Sequence, residues 1–202
     1  MTKYKSLLRI ASAWEAEFER NRQLHGAKIQ CRRGCTDCCY HLFQITEIEA
    51  ALISHALRNM SIEKQNQIKE RAQKYLKDRE KLLADHQVPD AWGSLPPLGL
   101  RLACPALEDG ACQIYDHRPI ICRKYGMPLY NPKRPEKIFA CELNFQPGEE
   151  IGDPQLVQIH TNLCHDGVEL QAEYNRQGGR RDTQPINVAR AIVQDFEEYL
   201  PK

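Results

Sequence analysis

The chain has 202 residues, 42% of them hydrophobic and 27% charged, with a net charge of +1. That length suits one domain able to bury a real core, so residues 1–202 are expected to form a single domain. The near-neutral balance gives no global attraction for nucleic acid or an anionic membrane surface, and no apolar run approaches the roughly 20 residues that span a bilayer.

Lys3, Lys5 and Arg9 are soon followed by Glu15, Glu17 and Glu19, and the apolar residues between them are spaced rather than continuous. The start of the chain therefore does not read as a signal peptide, and a cytoplasmic location is expected. Tyr4, Leu7, Leu8, Ala11, Trp14 and Phe18 recur at helical spacing and predict a helix over 4–24 with one buried face. Thr46-Glu47-Ile48-Glu49 is a capping-box pattern, with Ile48, Leu52, Ile53, Ala56 and Leu57 behind it. Ser61 can cap a further helix running to about Asp85, with a thin apolar stripe of Ile68, Ala72, Tyr75, Leu82 and Leu83. Its alternating charges predict a solvated outer helix and not a one-sign binding face.

Residues 87–103, broken by Pro89, Gly93, Pro96, Pro97 and Gly99, read as a connecting loop. Residues 104–150 read as irregular, with at most a short helix after Pro119. Asp153-Pro154 fits an N-cap and first helical position ahead of Leu156, Ile159, Leu163, Leu170 and Tyr174, and Gly178-Gly179 ends that helix. A last helix is expected near 186–199, around Ala189, Ile192, Val193 and Phe196. No β alternation is convincing. The expected fold class is mainly α, a small irregular helical domain organised around a cysteine-ligated metal site with flanking amphipathic helices. Its metal-binding core is placed at 31–141 and its flanking helices at 1–30 and 153–202.

Nine cysteines are the anomaly of this composition. A reducing compartment does not keep structural disulfides, and an odd count leaves one thiol over. Scattered core thiols are the bland alternative. That reading suits Cys164 and could take in Cys141, but not Cys31, Cys35, Cys38 and Cys39 crowded beside Arg32, Arg33 and Asp37. A helix beginning near Cys35 would put Cys35, Cys38 and Cys39 on one face at i, i+3 and i+4. Gly34 would let Cys31 fold back toward them. Adjacent Cys38 and Cys39 are expected to diverge, which points to paired sites or a multinuclear cluster.

The second motif runs Cys104-Pro-Ala-Leu-Glu-Asp-Gly110-Ala-Cys112-Gln-Ile-Tyr115-Asp-His-Arg118-Pro119-Ile-Ile-Cys122-Arg123. Glu108-Asp109-Gly110 is a turn signal able to bring Cys104 and Cys112 together. Pro119 favours a helix start that puts Cys122 in its first turn, where backbone N–H groups favour a thiolate. Cys141 is the fourth candidate, so the count allows two four-cysteine groups plus Cys164. By position, the half-sites are 31–39 and 104–141. Arg118, Arg123, Lys124, Lys133, Arg134 and Lys137 face Glu136 alone and could offset a doubly negative tetrathiolate centre, or form an ordinary solvated loop.

These two motifs resemble the YkgJ-like cysteine-cluster proteins, the zinc- or iron-chelating CxxCxxCC family. The likeness rests on Cys31 to Cys39 and on Cys104-Pro105 with Cys112-x-Ile-Tyr115-x-x-Arg118-Pro119-x-x-Cys122-Arg123, and covers roughly residues 31–141. It implies eight metal ligands: Cys31, Cys35, Cys38, Cys39, Cys104, Cys112, Cys122 and Cys141. Some members of that family sit inside protein lysine methylases, and that side of the resemblance implies enzymatic use. The first motif departs in having three residues between Cys31 and Cys35.

Zinc knuckles usually pair Cys-x2-Cys, and only Cys35 and Cys38 do so here, whereas an iron–sulfur cluster accepts irregular spacing and Cys104-Pro105. The cofactor is therefore read as an iron–sulfur cluster ahead of Zn2+. Cys31-x3-Cys35-x2-Cys38 also has radical-SAM spacing, but the chain lacks the alternating strand–helix units of such a barrel. His41, His117, His160 and His165 are weaker ligands. Tyr115 and Trp92 are expected near the cluster, with Asp37 or Arg118 hydrogen-bonded around it. No catalytic triad or phosphate loop stands out. The expected roles are a redox or enzyme-accessory iron–sulfur protein acting with a protein partner, a zinc-stabilised interaction module, or a metal storage and delivery protein.

Overall fold

The computed structural model describes residues 2–32, 34–90, 96–97, 99–133, 135, 138–145 and 149–202. The fold is mainly α, with six α-helices and two small strand pairs among the described residues. The chain forms two compact units, each drawn from two stretches: Met1–Cys35 with Pro119–Glu173, and Thr36–Arg118 with Tyr174–Lys202. No helix among the described residues is long and apolar enough to cross a membrane.

The first unit is built on α1 (Lys5–His25), the short α4 (Ile120–Lys124) and most of α5 (Leu156–Arg176), with the antiparallel pair β3 (Leu129–Tyr130) and β4 (Ile138–Phe139). Ile10 and Trp14 of α1 meet Met127, Leu129 and Leu163 in its core, as the helical spacing of α1 requires. Beside this apolar patch lies a buried ionic one. Arg20 sits 2.6 Å from Glu17 Oε2 and 2.6 Å from Asp153 Oδ2, bridging α1 to the residue that opens α5. Asp153 also accepts the Gln155 N–H at 3.0 Å, which fits its expected place at the helix entry.

The second unit packs α2 (Glu47–Arg58) and α3 (Ile62–Asp85) against α6 (Val188–Val193) and the 3-10 turn Phe196–Tyr199. The capping box forms: the Thr46 N–H and hydroxyl both donate to Glu49 Oε2, at 2.9 and 2.8 Å. Ser61 caps α3 by accepting the Lys64 N–H. Only Ile68, Ala72, Tyr75, Arg79 and Leu83 of α3 are buried, which is the expected thin stripe with Arg79 added and Leu82 only half-buried.

The last helix is shorter than its periodicity suggests. Gln194 turns extended at ψ 150° after Val193, and Phe196 then starts a separate 3-10 turn. Ser54 of α2 causes the break to pack: its hydroxyl lies 3.2 Å from the Ala191 carbonyl and accepts the Phe196 N–H at 3.1 Å. The strand pairs were not expected, because strands of two residues carry no alternation to read.

Candidate metal centre

Both cysteine motifs are divided between the units. The boundaries fall between Cys35 and Thr36 and between Arg118 and Pro119. Cys31, Cys35, Cys122, Cys141 and Cys164 thus belong to the first unit, and Cys38, Cys39, Cys104 and Cys112 to the second. The half-sites read by position, 31–39 and 104–141, are each shared out. All nine cysteines are free thiols.

No α-helix begins at Cys35, the last residue of the first unit's opening stretch. Gly34 adopts φ 91°, and the Cys35 N–H donates to the Arg32 carbonyl at 2.9 Å, so this backbone is spent on a turn. Cys38 and Cys39 occupy the single 3-10 turn Asp37–Tyr40. Adjacency in this turn couples the two thiols electrostatically. Residues 102–104 run alongside this turn: Leu102 donates to the Tyr40 carbonyl at 2.8 Å and Cys104 to the Cys39 carbonyl at 2.7 Å. The predicted Glu108-Asp109-Gly110 turn closes a hairpin of β1 (Leu107–Glu108) and β2 (Ala111–Cys112), with positive φ at Asp109 and Gly110.

The electrostatics of these sulfurs are coupled. Hydrogen bonding to Cys39 holds the Cys38 thiol far above the usual thiol range, and burial and the Cys39 and Asp37 charges push the same way. Burial pushes Cys104 up to about 12, with Cys112 and Cys38 adding to it, against N–H donors from Ala106 and Leu107. Burial also raises Cys112, opposed by the Ile114 N–H and the Arg118 guanidinium, while Cys38 raises it further. Backbone donors aimed at sulfur favour a thiolate, whereas burial and like neighbours disfavour its charge. A soft cation resolves that conflict, so this donor set fits zinc or iron.

In the first unit Cys31 is held by a side chain. Asn144 Nδ2 donates to Cys31 Sγ at 3.5 Å and also to the Gly126 carbonyl, while Asn144 Oδ1 accepts the Gln30 N–H at 2.9 Å. The backbone N–H of Asn144 donates to the Cys141 carbonyl at 2.9 Å. Cys141 is buried, and Cys122 lies in α4 behind Pro119, as expected. Asn144 escaped the sequence reading, and only its place three residues after Cys141 could have flagged it. Among the described residues, no group of three or more His, Cys, Asp or Glu side chains is arranged to hold a metal ion.

The remaining candidates sort by their partners. His160 is fully buried with both ring nitrogens engaged: Nδ1 accepts the Tyr130 N–H at 3.2 Å and Nε2 lies 3.1 Å from Glu17 Oε1. It serves the core and has no lone pair for a metal. Cys164 packs against the Ile10–Trp14 core, and His165 is exposed. Asp37 pairs with Arg101 at 2.6 Å, and Arg118 stacks 3.8 Å from the ring of exposed Tyr115. Of the basic stretch, Arg123 is buried against Glu15, and Lys124 lies 4.8 Å from the ring of Trp14. Arg134, Glu136, Lys137 and Trp92 lie outside the described residues.

The sequence model described as "CxxCxxCC: Putative zinc- or iron-chelating domain" matches residues 30–142. The chain belongs to this family. The CxxCxxCC match takes in both cysteine motifs, and metal chelation is the property the family is described by. Comparisons with curated proteins and with solved structures gave no match to the chain.

Proposed function

We propose that this CxxCxxCC protein is a metal-holding module with two four-cysteine sets, one in each unit. Cys31, Cys35, Cys122 and Cys141 form the first set, and Cys38, Cys39, Cys104 and Cys112 the second. The observation that carries the reading is that both motifs are divided between the units, which leaves four cysteines in the second unit and, besides core-packed Cys164, four in the first. Residues 31–141 are the metal-binding core, and binding draws the sulfurs of each set together.

Irregular spacing and Cys104-Pro105 favour iron in a sulfur cluster over zinc, with a redox or accessory role beside a protein partner in a reducing compartment such as the cytoplasm. A second reading, a zinc-stabilised interaction module, is favoured by how little secondary structure these stretches carry. Two-residue strands and single turns gain most of their order from a metal.

Anaerobic purification followed by metal analysis and a visible spectrum separates the readings. A brown protein with charge-transfer absorption bleached by dithionite supports iron–sulfur. A colourless protein with two equivalents of zinc transfers the conclusion to the second reading. A protein that binds neither metal overturns both.

A further inference from the structure

We infer that Asn144 is a positioning residue for the Cys31 sulfur, and that Gly126 is the floor of the same socket. The inference rests on the reading that Cys31 is a metal ligand of the first set.

Asn144 is 4% exposed, so each of its polar atoms needs a partner. The Gln30 N–H can only donate, and it meets Oδ1 at 2.9 Å. The Gly126 carbonyl can only accept, and it meets Nδ2. These two contacts fix the amide's orientation, so its NH2 group necessarily faces Cys31 Sγ at 3.5 Å. An amide N–H offered to a coordinating thiolate spreads its charge and fixes its side-chain direction, as groups around metal ligands do.

Gly126 completes the socket from the other side. A Cβ there would lie 2.3 Å from Cys31 Sγ and 3.0 Å from Phe18 Cε2. Gly126 is not among the glycines with positive φ, so its backbone would tolerate a side chain, and the close approach of the sulfur, with Phe18 beside it, is what forbids one. The Asn144 N–H on the Cys141 carbonyl, at 2.9 Å, ties the same residue to the turn bearing a second proposed ligand. Cys31 is thus assigned to the set of Cys141 and not to that of its neighbours Cys38 and Cys39.

The test loads the full chain with Co2+ without oxygen and follows the thiolate-to-cobalt band and the release of metal to a chelator. Asn144→Asp keeps an acceptor for Gln30 but sets a carboxylate against the sulfur, and Gly126→Ala crowds the sulfur directly. Each variant is expected to release one of the two cobalt equivalents roughly 10–100-fold faster than the parent. In a Cys31→Ser background, which is expected to lack the first-set equivalent, Asn144→Asp is expected to leave release of the remaining equivalent unchanged. A folded variant that releases both equivalents at the parent rate overturns the inference. So does an Asn144→Asp effect undiminished by Cys31→Ser, or unfolding of both variants, because either result makes these residues general supports of the fold. A parent chain that shows no thiolate-to-cobalt band would instead sink the two-set reading.

Discussion

The two cysteine groups present their sulfurs with different atoms. In the second unit the backbone N–H groups of Ala106, Leu107 and Ile114 favour the Cys104 and Cys112 thiolates against their burial. In the first unit the donor to Cys31 is the Asn144 side chain, and a glycine leaves room for the sulfur. Both frames combine apolar helix faces with part-buried ionic groups, which are Glu17, Arg20, Asp153 and His160 in the first unit and Glu47, Arg181, Asp182 and Arg190 in the second. A centre held by backbone donors tolerates single substitutions that a centre held by one amide does not.

The largest effect expected is that of removing metal altogether. Structural metal binding supplies on the order of 10 kcal/mol of folding free energy. Chelation under reducing conditions should abolish amide-exchange protection around the Cys104–Cys112 hairpin and the Cys141–Asn144 turn while α1, α2 and α3 stay protected. Uniform loss across the chain would break the distinction between frame and cysteine loops. Next come the single ligands. Cys104→Ser and Cys31→Ser should each remove one metal centre and spare the other, and Cys164→Ser should remove neither, as counted by metal analysis. Loss of both centres from one substitution would merge the two sets into one.

The frames give smaller and more specific effects. For Glu17, burial opposes ionisation, but the Arg20 and His160 hydrogen bonds and the Arg20 charge outweigh it and hold the carboxyl at about 2. A depressed folded value means that this stabilisation is complete above the ordinary carboxylate range and is lost as pH falls through about 2. At neutral pH the shift corresponds to about 3 kcal/mol. Glu17→Gln should lower stability by that order and flatten its dependence on pH below about 5 in acid-unfolding curves. An unchanged acid limb would remove the ionic network from the description of the first unit. Thr46→Ala should cost about 1 kcal/mol through its capping box, read as a small drop in the denaturant midpoint.

Much of the local structure was legible because it is written in short-range chemistry. Thr46 and Glu49, Ser61, Asp109-Gly110 and Pro119 mark the starts and turns where they occur. The eight candidate cysteines could be named, but not their grouping, since the boundary through Cys35 and Thr36 depends on contacts with residues far along the chain. The bend at Gly34 occurs where it is expected, but no α-helix follows from Cys35, because helical spacing of Cys35, Cys38 and Cys39 says nothing of where the backbone hydrogen bonds go. Asn144 and the pairing of Arg20 with Asp153 are long-range contacts without a periodic signal.

The most direct test of the central claim is metal-dependent alkylation of each cysteine, read by mass spectrometry on the intact chain before and after chelation. Two four-cysteine sets predict that Cys31, Cys35, Cys38, Cys39, Cys104, Cys112, Cys122 and Cys141 are protected by metal and become reactive without it, while the rate at Cys164 does not change. Equal reactivity of all eight with and without metal would contradict the account.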